Sequence, residues 1–262
     1  MIEIQVPDSD LRYFRFNGLP ETVQHGVLTR LGGVSQEPFV SLNMSSYRPD
    51  HPDHVRENQA RGYGAFGRTA DSLVHARLVH RADVVQVTQA EQGEIVPDCD
   101  ALITNEIGCG LTMNYADCAP IFVYDPQNHA IGLGHAGWQG TVRDVPGEMV
   151  RAMQASFGSD PAELWGAVGP CISGAVYEVG DNVIEAVQAN FGEDAKRLLI
   201  PQAGRVRPHF DLPLANWINF ERAGVKTIEL SGLCTGSRTD LFFSHRVEQG
   251  ATGRFAAVMI LT

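Results

Sequence analysis

In the stretch ADCAPIFVYDPQNHAIGLGHAGWQG, residues 116–140, a thiol at Cys118 precedes one short apolar run and an imidazole at His135 closes the next. A soft thiolate and a ring nitrogen can share one proton or hold one metal ion, and as a pair they suit Zn²⁺. Each alone is an ordinary residue, since cysteine is among the most buried types and a lone histidine is more often packed or solvated than ligating. Together they are flanked by Ala116, Ala119, Gly134, Ala136 and Gly137, small residues that leave room for a ligand. A catalytic zinc needs three protein ligands and an open position. The candidate third ligand is His80, at the end of ARLVH; His75 competes, but strand parity puts the two on opposite faces. His51 and His54, in DHPDH, look like a metal cluster yet sit at a predicted helix start and read as solvated. No C-x-x-C or H-E-x-x-H occurs.

A hairpin must bring the first two residues together. Val, Ile, Phe and Tyr in PIFVY favour a strand, and Asp-Pro-x-Asn is a turn signal. A turn centred between Pro126 and Gln127 sets Ile121 opposite Gly132, Phe122 opposite Ile131 and Cys118 opposite His135. Directly opposed residues share a face with Cβ atoms about 4.5–5.5 Å apart. A one-residue slip would send them to opposite faces. Elsewhere YFRF, HGVLTR, SLVHARLVH, DVVQVTQ, ALIT, LWGAVGPCI and KTIELSG read as strands. LFFSHRV and RFAAVMIL form a predicted closing hairpin around EQGATG. Helices are predicted over about 54–65, capped by Asp53, after Trp138, through PGEMVRAMQASFG, and in GDNVIEAVQANFG and LPLANWINFERAG. TRLGGVS offers a glycine loop and Arg30, which can cradle an anion or be only a turn with a surface arginine.

The chain has 262 residues, enough for an ample core, with ordinary hydrophobic (44%) and charged (19%) content. Its net charge of −11 argues against broad contact with nucleic acid or an anionic membrane. Five cysteines without a close-spaced ladder, no signal peptide at MIEIQVPDSD and no membrane-length apolar run point to a reduced, cytoplasmic protein. Alternating short strands and amphipathic helices predict an α+β fold with mixed sheets covered by helices, in one domain over 1–262.

With HGVLTRLGGVS, SLNM, HVRENQARG, LVHRADV, DALIT, ADCAPIFVYD, GHAGWQGT, GPCI and FFSHR followed by TGRFAAVM, nearly the whole chain resembles the multicopper polyphenol oxidase laccase (YfiH-like) family. Its members are also described as purine nucleoside phosphorylases and peptidoglycan editing factors. The resemblance implies a four-layer α/β/β/α sandwich related to bacterial cysteine-hydrolase toxins. It implies a zinc site at His80, Cys118 and His135, with Arg30, Asn43 and Asp117 lining it. The chain departs from the family pattern at Leu78, Arg81 and Gln139, keeps only Arg246 of a usual arginine pair, and lacks a doubled cysteine before Tyr177.

The activity so implied is zinc-dependent phosphorolysis of purine nucleosides (adenosine, inosine, methylthioadenosine). Arg30 would hold phosphate near C1′ while positive charge builds on the ribose. Deamination of adenosine is the companion reaction, with zinc activating water and Asp117 as the acid–base carboxylate. A metal-free alternative makes Cys118 a nucleophile deprotonated by His135, cleaving an amide in a peptidoglycan precursor. A further alternative is a non-catalytic small-ligand binder. Copper chemistry is the weakest reading, because nine histidines without a His-x-His pair do not suit a multicopper cluster.

Overall fold

The computed structural model describes residues 1–262. Two mixed sheets carry the fold. The larger runs in the order Ile2–Gln5, Arg12–Arg15, Val23–Leu28, Phe255–Leu261, Gly110–Tyr115, Val74–Ala76 and Ile95–Val96. The smaller runs Thr227–Leu230, Trp165–Val168, Ala119–Asp125, Ala130–Ala136, Ala101–Thr104 and Val84–Gln86. A two-stranded ribbon pairs Leu199–Ile200 with His209–Phe210.

Strand parity distributes the apolar side chains into separate cores. Along Ala119–Asp125, Ile121 and Val123 pack with Val145, Met149 and Phe220 of the helices Val145–Phe157 and Leu212–Arg222. The alternate residues Phe122 and Tyr124 join Phe14, Phe16, Phe255 and Met259 of the larger sheet. On that sheet's other face, Leu28, Val258 and Ile260 pack with Tyr63 of the helix Pro52–Gly64. Caps fix where the two helices on the smaller sheet begin. Asp144 accepts the N–H of Gly147 at 3.0 Å, and Asp211 accepts that of Leu214 at 3.1 Å.

Three expectations need correction. The first helix is capped by His51, whose Nδ1 accepts the Asp53 N–H, so Asp53 lies inside the helix. The run SLVHARLVH contains only the strand Val74–Ala76, and His80 follows in a loop with φ of +57°. LFFSHRV forms no strand: the N–H groups of Leu241 and Phe242 both turn back to the Arg238 carbonyl. Its buried phenylalanines fill the core between the sheets from a turn, a placement that strand-like composition does not distinguish.

Candidate functional site

Cys118 and His135 lie on the same face of the hairpin, but not directly opposed. His135 pairs with Pro120 and Ala136 with Ala119, a shift of two residues from the expected pairing. Asp125 causes it by accepting the N–H groups of Gln127 and Asn128, and His129 takes a left-handed conformation. The connection thereby becomes the four-residue turn Pro126–His129. An even shift preserves the face. Cys118 then falls beside Gly137, where a Cβ would lie 2.8 Å from its Sγ. The imidazole of His135 stacks on Tyr115, with centroids 5.3 Å apart at 26°, and the Tyr115 hydroxyl is tied to the Gly134 carbonyl at 2.9 Å.

His80 arrives from the other side on a loop organised by one carboxylate. Buried Asp100 accepts the N–H groups of Val79 (3.1 Å), His80 (2.7 Å) and Arg81 (2.6 Å), and its own carbonyl accepts the His135 N–H at 2.8 Å. This nest of successive N–H groups holds His80 in its left-handed conformation. The ligating atoms of His80, Cys118 and His135 all lie within 4.8 Å of one another. His75 is absent from this cluster: its Nε2 bonds the Ala70 carbonyl. His51 and His54 instead face Asp53 and Asp50 at the helix start.

Burial pushes the Cys118 thiol up to about 12, helped by the negative charge of Asp117. Burial also pulls His135 down to about 3, with His80 acting in the same direction. The sulfur therefore keeps its proton and the ring stays neutral. Buried His135 Nδ1 has no hydrogen-bond partner in the protein. A neutral imidazole with an orphaned nitrogen beside a thiol suits a divalent cation, which displaces the thiol proton and takes up the nitrogen lone pair. Two imidazoles and one thiolate with a side open to a cavity fit zinc, and His80, Cys118 and His135 would hold it.

That cavity measures about 730 Å³, a size for a small molecule. The cluster residues line it together with Asp117, Arg48, Asn114, Gln139 and Arg254. Asp117 is tied into the protein: its carboxylate accepts from Thr235 Oγ1 (2.7 Å), Ser244 Oγ (3.1 Å) and the Arg246 N–H (2.7 Å). Arg30 lies outside the cavity, stacked over Phe243 and donating to Val40, Thr239 and Glu248. The glycines of the TRLGGVS loop pack on neighbouring backbone, and two of its N–H groups are bonded within the protein. A Cβ on Gly32 or Gly33 would strike the backbone of Leu11 or Ser41, and Gly33 and Val34 donate to Ser41 Oγ and Asn58 Oδ1. Asn43 is fully buried and also off the cavity; its Oδ1 accepts the Arg254 N–H at 2.9 Å. Sequence reasoning missed Asp100, Tyr115, Arg48 and Arg254. An acidic residue directly before the apolar strand ALIT was the one signal for Asp100.

The sequence profile described as multi-copper polyphenol oxidoreductase laccase matches residues 24–262. The chain belongs to this family. Among the laccase-family relatives it is similar to, the purine nucleoside phosphorylase YlmD of Bacillus subtilis is 37% identical over 238 residues, covering 87% of this chain and 85% of the relative. A purine nucleoside phosphorylase of Deinococcus radiodurans is 38% identical, with 90% and 88% covered. The crystal structure of YlmD from Geobacillus stearothermophilus superposes with a TM-score of 0.86 at 32% identity, and that of Bacillus licheniformis YfiH with 0.91 at 28%; each covers 98% of both chains. No helix of this laccase-family chain is long and apolar enough to cross a membrane.

Proposed function

We propose that this protein is a zinc-dependent purine nucleoside phosphorylase. The observation that carries the reading is the convergence of His80, Cys118 and His135 on the wall of a nucleoside-sized cavity, with His135 Nδ1 buried and unpartnered. The relatives named purine nucleoside phosphorylase supply the reaction class. In that reaction a phosphate oxygen bonds to C1′ as the C1′–N9 bond breaks, and the electron pair leaves with the purine, which takes up a proton. When bound, the metal supplies Lewis-acid polarisation of a substrate oxygen. The chain's own residues do the rest. Asp100 and Tyr115 orient two of the ligands, and the cavity has the volume to hold phosphate and nucleoside together.

Deamination of adenosine needs an acid–base carboxylate, and Asp117, the one acidic residue lining the cavity, is held by three hydrogen bonds that stabilise its charged form and work against its taking up a proton. Amide cleavage by a Cys118–His135 dyad needs an imidazole that accepts the thiol proton, and the opposed shifts of the two groups work against it. Copper oxidase chemistry needs several metal positions, whereas one His–Cys–His cluster is assembled. The same reading takes the three stacked cores as a four-layer α/β/β/α sandwich, akin to cysteine-hydrolase toxins, and the protein as a cytoplasmic enzyme of small molecules.

The test is metal analysis of the purified protein together with release of free base from inosine and adenosine, with and without phosphate. The expected result is about one zinc per chain and phosphate-dependent release. The Cys118→Ala variant should lose metal and turnover together. Full phosphorolysis by a metal-free C118A protein overturns the reading.

A further inference from the structure

The cavity that the His80–Cys118–His135 cluster lines also carries arginines that the protein does not neutralise. Arg48, Arg246 and Arg254 all face it, and none makes an ion pair with a carboxylate. This occurs in a chain with 31 acidic and 20 basic residues, where counter-ions are plentiful. The two carboxylates close enough to act on Arg254 are both engaged elsewhere. Asp117 holds Thr235, Ser244 and the Arg246 N–H; Glu248 holds Arg30, the Ser244 N–H and Thr252.

Arg48 and Arg254 are also under-bonded. Arg254 Nη1 reaches only the carbonyls of its neighbours Thr252 and Gly253. Arg48 is held by a single bond from Nη2 to the Gly250 carbonyl, at 2.7 Å, and its buried Nε has no acceptor. Of five buried polar side-chain atoms without a partner, three belong to residues lining this cavity: Arg48 Nε, Asn114 Oδ1 and His135 Nδ1. Such atoms are rare, because burial without a partner is costly, and their concentration on one cavity points to a ligand that completes them. The two guanidinium groups repel one another, and burial and this repulsion both lower the pKa of Arg254. His245, beside them, is lowered by burial and then by Arg254. A half-buried group of like charges with free donor edges is stabilised by an oxyanion.

The backbone is built to keep them there. Asn43 Oδ1 takes the Arg254 N–H, and the Arg254 carbonyl takes the Met44 N–H at 2.9 Å. The segment 43–48 is thus stitched to the segment 250–254 at both ends, by these bonds and by the bond from Arg48 to Gly250. We propose that Arg48 and Arg254 form an oxyanion subsite that takes a phosphoryl group, in the cavity that the His80–Cys118–His135 cluster also lines. The identification of that group as the co-substrate phosphate rests on the phosphorolysis reading; the subsite itself does not. The alternative source of the same chemistry is the 5′-phosphate of a nucleotide.

The experiment titrates the zinc-loaded protein with inorganic phosphate and, separately, with inosine 5′-monophosphate by calorimetry, and measures KM for phosphate and for inosine. It compares wild type, Arg48→Met, Arg48→Lys and Arg254→Met. Loss of charge-assisted donors should weaken phosphate binding and raise its KM by about tenfold to a hundredfold, with KM for inosine within about twofold. Arg48→Lys should recover only part of the loss, because an ammonium lacks the two-pronged geometry. Arg48 is only half-buried and held by one hydrogen bond, so its variants keep the test decisive if Arg254→Met does not fold. Phosphate binding that depends on Arg48 without any phosphorolysis supports the subsite and sinks the phosphorylase reading. Binding of the monophosphate alone, again dependent on Arg48, supports the subsite with a nucleotide as its source. Phosphate and nucleotide binding unchanged in R48M, or absent from wild type, overturns the proposal.

Discussion

Three successive backbone N–H groups converging on one buried carboxylate give Asp100 a role beyond packing. It fixes the His80 loop through its side chain and His135 through its carbonyl, so one residue sets two of the three members of the cluster. Asp100→Asn keeps the shape but removes the charge and one acceptor. Zinc affinity, measured by chelator competition, should fall by about 10–100-fold while far-UV circular dichroism stays native. Unchanged affinity would mean that the loop holds its shape without the carboxylate. The three residues of the cluster were legible in the sequence because thiol and imidazole are rare types with a narrow chemistry. Asp100 and Tyr115 were not, since carboxylates and aromatic rings are common and act here only through where the chain brings them. Arg30 shows the reverse error. An arginine beside two glycines reads locally as an anion clamp, but its acceptors lie 10 to 218 residues away and no local pattern reveals them.

At the scale of the element, the hairpin was read correctly as a hairpin and with the correct face, but in the wrong register. Parity is specified because both faces are buried against different cores: a slip by one residue would turn Phe122 and Leu133 from the core between the sheets toward the helices, where Gly132 and Gly134 make room for Met149. The length of the turn depends on how Asp125 and His129 share out hydrogen bonds and left-handed backbone, which composition does not encode. The true register puts Gly137 against Cys118, and this makes the glycine a test of the geometry. In Gly137→Ala the new methyl would lie 2.8 Å from Sγ, and the thiol has to turn away. Cobalt-substituted G137A should show a weakened thiolate-to-cobalt charge-transfer band and lose most of its turnover, with a melting temperature close to wild type because the methyl adds to the cavity edge rather than to the core. A band equal to wild type would show that Cys118 has room to spare. The helices were legible almost to the residue, from Pro146 in a first turn to Gly158 just beyond a last one. The run LFFSHRV was not, since a buried aromatic turn and a buried strand share one composition.

For the molecule as a whole, mixed sheets under helices followed from short strands alternating with amphipathic segments, while strand order did not, because it depends on pairings such as Phe255–Leu261 with Val23–Leu28 across most of the chain. That closure buries histidines as neutral groups and so sets how the protein answers to acid. His25 is the clearest case, buried between the sheets, where its Nε2 accepts the Phe16 N–H at 3.0 Å and its Nδ1 is left to donate to the Val23 carbonyl at 3.0 Å. A second proton would set two donors face to face. Burial lowers its pKa from the ordinary 6.5, and His75 shifts the same way for the same reason. Above about pH 6.5 neither the folded nor the unfolded chain binds these protons. Below it the unfolded chain takes them up and the folded one resists, so stability is present at neutral pH and is lost as pH falls toward the depressed folded values. Each histidine contributes a slope of at most about 1.4 kcal/mol per pH unit in that window. Urea denaturation in the presence of a chelator, compared at about pH 7.5, 6.5 and 5.5, should show the midpoint dropping most between the last two. His25→Gln, whose amide can accept and donate in the same directions without titrating, should flatten the drop. A wild-type midpoint that stays level across the range would show that these histidines protonate in place, and that the core between the sheets tolerates their charge.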